Sequence, residues 1–364
     1  MVEKTLAAVQ AHTDEKLSIG SAKMPLVSVI ITSFNYEKYL RECVDSCLNQ
    51  DYPHIQLIIT DDCSTDGSRR IIEEYSDRAD IVQHHENKGQ LAAFFSGLER
   101  AKGEFTVFVD ADDFLDSDAV SAHIYLHLFR RPSAGFTCLR NRQVSESSAV
   151  ISDFHSDFIA PEEITSLSPR VIHTPTWSWS TTSAMMFRTD LLRLIKTENT
   201  DAFRVCADYY IAHFANLLGG SILFDRAKVN YRRHGKNLFS KNFVIGGDRP
   251  TGSLNHHGHM PHEILQKEIV TKMIEKRAEF EPYYASESAY AEAVLFAAPI
   301  KLIEEFLPCP PELLNLLKAA EPAVIRIRDE QIRLKKAARE MLEEEMNALS
   351  AEKIKNGLKK RLGI

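Results

Sequence analysis

Leu26-Val27-Ser28-Val29-Ile30-Ile31-Thr32-Ser33-Phe34-Asn35 is the stretch on which the fold turns. Its first six residues form a β-branched apolar run, too short for a buried helix, and read as an interior strand. Polar residues follow at once. The pattern returns at Ile55-Gln56-Leu57-Ile58-Ile59, which precedes Asp61-Asp62, and at Phe105-Thr106-Val107-Phe108-Val109, which precedes Asp110-Ala111-Asp112-Asp113. Between these strands, Leu40, Val44, Cys47 and Leu48 recur at helical spacing and predict a helix over 37–50, closed by Pro53. Ser64 is placed to cap a helix running to about Ser76. Residues 80–84 read as a weaker strand and 90–101 as a helix ended by Gly103. Strands alternating with helices predict an α/β fold with a mostly parallel sheet flanked by helices. Ligands bind such sheets beyond the carboxyl ends of the strands, where this chain carries its three polar clusters.

Further along, residues 140–182 are loop-rich, with Pro161, Pro169, Pro175 and two tryptophans. Residues 184–187 are strand-like, and 189–196 and 207–218 read as helices before Gly219-Gly220 breaks the chain ahead of Ile222-Leu223-Phe224. From Pro261 the pattern is helical only, over 262–280, 286–306, 311–320 and 324–349. These shifts divide the chain into a tail (1–24), an α/β domain (25–240) and an α-helical C-terminal extension (241–364).

The 364 residues are 44% hydrophobic and 26% charged, as in an ordinary globular protein. A formal charge of −7 argues against general nucleic-acid binding, which needs a basic face. None of the six cysteines forms a Cys-x-x-Cys pair, which argues against a zinc knuckle, and Cys43 and Cys47 read as small core residues one helical turn apart. No apolar stretch of signal-peptide or membrane-span length is evident, so a cytoplasmic location is expected.

Asp110-Ala111-Asp112 sets two carboxylates one residue apart just past a strand, where both can address one divalent cation; Mg²⁺ or Mn²⁺ takes oxygen ligands and bridges to phosphate. The bland alternative is a solvated turn, with Asp113 or Asp116 capping the next helix. In Asp61-Asp62-Cys63-Ser64-Thr65-Asp66-Gly67 a strand-end carboxylate can accept from the imide of a uracil ring, with Phe34 offering an aromatic face; turn residues and a core Phe are the alternative.

Taken in order and spacing, Val27–Asn35, Asp61–Gly67, Asn87-Lys88-Gly89 and Val109–Asp113 resemble glycosyltransferase family two, over roughly residues 25–240. The resemblance implies a GT-A fold (Rossmann-like), a nucleotide-sugar donor, UDP-linked in this reading, a divalent metal and inversion at the anomeric carbon. It implies that Thr32 and Phe34 line the base pocket, that Asp62 binds the base with Asp61 beside it, and that Lys88 lies on the donor side. Asp112 becomes the principal metal ligand and Asp110 the accessory carboxylate. Cys63 departs from the family, where a small residue such as Gly or Asn is common; Cys is also small, so little is put in doubt. The family's general base matches Asp208 in Cys206-Ala207-Asp208-Tyr209-Tyr210, although Ala207 stands where a Glu is usual. Tyr231-Arg232-Arg233-His234 resembles the family's Tyr-Arg-x-His segment and places Arg233 and His234 near the diphosphate or metal. One of Trp177 and Trp179 is expected to face a glycan or lipid-linked acceptor.

Other features read as follows. His256, His257, His259 and His262 form a cluster that reads as a surface loop rather than a zinc site. Ile327, Leu334, Ala338, Met341, Leu342 and Leu349 share one side of an amphipathic helix, packed on the core or on a second chain as a homodimer. Ile354, Leu358 and Leu362 lie amid five basic residues; this stripe suits peripheral contact with an anionic membrane surface or a solvated terminal helix equally. Two rival functions stay open. A haloacid-dehalogenase-type phosphatase also carries Asp-x-Asp after a strand but leaves 61–67 unexplained. A catalytically silent nucleotide-sugar-binding subunit is kept open by Ala207.

Overall fold

The computed structural model describes residues 24–129, 134–153, 158, 160, 162–169, 177–235, 237 and 261–362. The first half of the domain alternates as expected: β1 (Val27–Ser33), α1 (Leu40–Leu48), β2 (Ile55–Asp61), α2 (Ser68–Glu73), β3 (Asp80–Gln83), α3 (Gln90–Leu98) and β4 (Phe105–Asp110). Every residue of β1 is buried, because helices cover both faces of the sheet; hence an unbroken apolar run rather than an alternating one. Leu40, Cys43, Val44 and Cys47 are the buried stripe of α1, so Cys43 and Cys47 are core residues as expected.

The second half adds β5 (Phe114–Leu115), α4 (Ala119–Phe129), β6 (Phe136–Val144), β7 (Val150–Ser152), β8 (Ile164–Leu167), β9 (Met185–Arg188), α5 (Thr189–Ile195), α6 (Ala207–Gly219) and β10 (Ser221–Arg232). Among the described residues one sheet runs β3-β2-β1-β4-β9-β6-β10-β5, with β7 on β6 and β8 on β10. Strands β3, β2, β1 and β4 are mutually parallel, as are β6 and β10. The antiparallel β9 joins the two parallel blocks. Strand order reverses at β1, which has β2 on one side and β4 on the other, so a crevice opens beyond its carboxyl end.

Three local expectations are corrected. Helix α2 starts at Ser68, not beside Ser64: the Ser64 hydroxyl accepts from Asn35 N–H (2.9 Å) and Asp66 takes Ser68 N–H (2.9 Å) instead. Gly103 is not a post-helix glycine. It is needed because a Cβ there would lie 2.6 Å from the backbone of Leu26 and Ser28. In the C-terminal region, helices α7 (Pro261–Glu275), α8 (Glu287–Ala297) and α9 (Ile300–Phe306) precede one long helix α10 (Pro311–Leu362), which runs through Pro322 where a break was expected. None of these helices is long and apolar enough to cross a membrane.

The helical extension shares the core of the α/β domain. Phe280 stacks on Phe214 of α6 at 5.6 Å, and Glu268 of α7 accepts from Thr197 and from Asn199 (3.0 Å). Leu313, Leu317, Ala320 and Val324 bury the start of α10, whereas Ile327 and Leu334 farther on are exposed. The N-terminal tail, His256, His257 and His259 lie outside the described residues, as does the side chain of His262.

Candidate active site

The parallel register sets the ends of three strands side by side: Thr32 is level with Thr60 on one flank and Asp110 on the other, and Ser33 with Asp61. Backbone bonds then stitch the loops that follow, from Asp62 N–H to Ser33 carbonyl (2.9 Å) and from Ala111 N–H to Thr32 carbonyl (3.2 Å). Asn35 adopts φ 62° and its side-chain carbonyl accepts from Thr65 N–H (2.7 Å), which locks the first loop to the second. Phe34, 43% exposed, stands clear of the core above them.

The two neighbouring aspartates behave differently. Asp61 is wholly buried; one carboxylate oxygen takes Ser64 N–H (3.1 Å) and Arg69 Nε (3.0 Å), so it shapes the loop from below. Asp62 gathers the opposite wall, accepting from Lys88 N–H and Gly89 N–H (both 2.8 Å) and bonding His84 Nδ1 (2.7 Å). Gly89 is held at φ 87° against the backbone of Arg204, a position that a side chain would block. The Lys88 side chain is exposed beside it.

Beyond β4 the chain closes a tight turn, with Asp113 N–H on the Asp110 carbonyl (2.9 Å). Asp113 is neither a solvated turn residue nor a cap. Its buried carboxylate accepts from Ser183 Oγ (2.7 Å) and Arg232 N–H (3.0 Å). Asp112 meets His234 Nε2 at 2.9 Å. Asp110 accepts from Gln90 Nε2 (2.9 Å), and Gln90 Oε1 in turn accepts Ala207 N–H (3.3 Å) at the start of α6. Burial, then Asp112 and Asp208, push the Asp110 carboxyl up to about 8. Asp208 opens α6 and accepts Tyr209 N–H at 2.9 Å. Burial raises its carboxyl from 3.8 to about 6, against the hydrogen bonds from Tyr209 N–H and Thr182, which lower it.

Residues 88–90 therefore link three parts of the site: Asp62 by backbone, and Asp110 and the start of Asp208's helix through Gln90. The profile of glycosyl transferase family 2 matches residues 28–207.

This stretch is a family 2 glycosyltransferase domain.

Similar proteins include the putative teichuronic acid biosynthesis glycosyltransferase TuaG of Bacillus subtilis, 40% identical over 116 residues, or 31% of this chain and 46% of that protein. Chondroitin synthase of Escherichia coli is 32% identical over 157 residues, covering 42% and 23%. Among solved structures, S. aureus TarS 1–349 in complex with UDP-GlcNAc aligns over 85% of this chain and 92% of that one, at 20% identity and a TM-score of 0.47. The chain spans less than half the length of the first curated relatives it matches.

The family match stops at Ala207, one residue before Asp208. In this glycosyltransferase domain Trp179 is a core residue, 1% exposed, its Nε1 donating to Ser221 (2.9 Å). That side chain cannot meet an acceptor. Trp177 is half-buried and lies nearly parallel to the ring of Tyr209, at 6.4 Å. Arg233 donates to Gln143 Oε1 (2.7 Å). Sequence reasoning missed Gln90 and Ser183, polar residues within element-like stretches that carry no motif of their own, and gave Arg232 no role although it read the Tyr231-Arg232-Arg233-His234 segment. It also misjudged Cys63. The backbone there has φ 67°, so Gly or Asn suits the position for its conformation rather than its size.

Among the described residues no group of three or more His, Cys, Asp or Glu is placed to hold a metal ion, so a divalent cation finds at most a partial site here. Asp112 and His234 supply an oxygen and a nitrogen donor within hydrogen-bond distance of each other. Mn²⁺ and Mg²⁺ commonly complete such sites with diphosphate oxygens and water.

Proposed function

We infer that the protein is a metal-dependent, inverting glycosyltransferase that uses a UDP-linked sugar and a glycan or lipid-linked acceptor. The single observation that carries this reading is the joining of Asp62, Asp110 and the N-terminus of the Asp208 helix through residues 88–90. Base recognition falls to Phe34, whose exposed ring offers a stacking face, and to the loop organised by Asp62. Thr32 and Asp61 support that pocket from the strand ends, with Lys88 and Arg233 on the diphosphate side. Asp112 and His234, with Asp110 as the accessory carboxylate, would hold the cation; a bound Mn²⁺ or Mg²⁺ would neutralise charge developing on the departing diphosphate.

Asp208 takes the proton of the acceptor hydroxyl. Its raised carboxyl suits a general base, since a group titrating near working pH exchanges protons most effectively. Attack from the face opposite the leaving group inverts the anomeric carbon in one displacement, the geometry of single-displacement glycosidases. Trp177 and Tyr209, beside Asp208, offer aromatic faces to an acceptor sugar. The basic end of α10 supports peripheral contact with an anionic membrane, which suits a lipid-linked acceptor.

The test is a thermal-shift panel of nucleotide sugars with and without Mn²⁺, followed by transfer assays with the donor that binds. Stabilisation by a uridine nucleotide that needs Mn²⁺ is the expected result. Indifference to every nucleotide sugar would remove the reading.

A further inference from the structure

Arg232 is nearly fully buried near the site, 1% exposed. A buried guanidinium is tolerated only when its donors are met, because an unpaired buried charge is strongly destabilising. Here the fork is filled. Nε donates to the Asp112 carbonyl (2.8 Å), and one terminal nitrogen to Glu42 of α1 (2.6 Å). The other reaches Ser148 Oγ (2.9 Å) and the Glu146 carbonyl (3.2 Å) in the turn between β6 and β7. Its own N–H holds Asp113.

The flat face of the guanidinium also has partners, the rings of Tyr39 (4.9 Å) and Phe114 (5.2 Å). Tyr39 carries the contact onward. Its ring stacks on His234 at 5.1 Å and 24°, and its hydroxyl donates to Glu146 (3.0 Å). One side chain therefore bears on both members of the Asp112–His234 pair: on Asp112 through its carbonyl, on His234 through the Tyr39 ring.

We propose that Arg232 and Tyr39 are positioning residues that set the metal affinity of the site, by fixing the Asp112 backbone and the His234 ring at the separation one cation requires. This rests on the metal-dependent reading above. A Lys at 232 keeps the charge but offers a single nitrogen where Arg meets several acceptors in a plane. A Phe at 39 keeps the ring and loses only the hydroxyl. Partners behind metal ligands typically govern affinity by about 10–100-fold.

The experiment is a Mn²⁺ titration followed by electron paramagnetic resonance, with UDP present, on wild type, Arg232→Lys, Tyr39→Leu and Tyr39→Phe. Folding of each is checked by thermal unfolding in chelator. Arg232→Lys and Tyr39→Leu should weaken Mn²⁺ binding about 10–100-fold. Tyr39→Phe should keep near-wild-type affinity, a rescue that general loosening of the fold would not produce. Unchanged affinity in folded Arg232→Lys and Tyr39→Leu overturns the proposal, as does equal loss in Tyr39→Phe and Tyr39→Leu. Should Arg232→Lys not fold, the two Tyr39 variants decide alone. Wild type that binds UDP but no Mn²⁺ overturns the metal-dependent reading itself, and this proposal with it.

Discussion

Replacing Asp208 by Asn should make the protein more stable and nearly inactive at once. The carboxyl rises from 3.8 to about 6 on folding because burial disfavours its charged form. Each pH unit is worth ~1.4 kcal/mol, so the ionised side chain costs the folded state at most about 3 kcal/mol. Asp208 is only partly enclosed, and solvent screening brings the expected figure to about 1–2 kcal/mol. The sign follows from linkage. A folded pKa above the unfolded one gives stability that is fully present below pH 3.8 and lost as pH rises through about 6. Wild type is therefore penalised at neutral pH and unpenalised in acid. Asn keeps an acceptor for Tyr209 N–H and Thr182 without the charge. Thermal unfolding in chelator should place Asp208→Asn about 1–3 °C above wild type at neutral pH, with the gap closing toward pH 4. Turnover should meanwhile fall about 10²–10⁴-fold with donor binding preserved. A variant less stable than wild type at neutral pH, or a gap that ignores pH, would refute the electrostatic argument; unchanged turnover would refute the catalytic one.

Asp112→Ala should abolish Mn²⁺-dependent donor binding in calorimetry, and normal affinity would remove Asp112 from the metal site. Phe34→Ala should weaken uridine-nucleotide binding by about 1–3 kcal/mol, the usual worth of a base–aromatic stack, while leaving the melting temperature unchanged, because the ring stands outside the core. Cys63→Gly should raise stability by about 0.5–1 kcal/mol in denaturant titration, since φ 67° strains any side chain with a β-carbon; a loss would show that the Cys63 thiol's contact with the His85 carbonyl (3.4 Å) outweighs the strain.

Much of the first half of the α/β domain was legible because its signals are local. Doubly covered strands must be apolar throughout, and residues that follow them must be polar where the sheet opens to a ligand. That logic reaches Phe34, Asp62 and Asp112 without coordinates. The same logic failed where a residue's task is set by distant chain. Ser64 has the composition of a helix cap, yet its hydroxyl serves Asn35, 29 positions away. Trp177 and Trp179 are indistinguishable in sequence, and only packing against Ser221 sends Trp179 into the core.

By itself the chain's pattern of apolar runs and acidic punctuation determined the α/β class, the strand ends that matter and the helical character of the C-terminal third. Tertiary structure alone decided which carboxylate does what. The aspartates at 61, 62, 110, 112 and 113 are chemically identical, and what separates them is burial and partner: Arg69 below, residues 88–89 across, Gln90, His234, Ser183. Hydrogen bonds spanning 8 to 122 positions set those environments, and no periodicity of 2 or 3.6 residues records them.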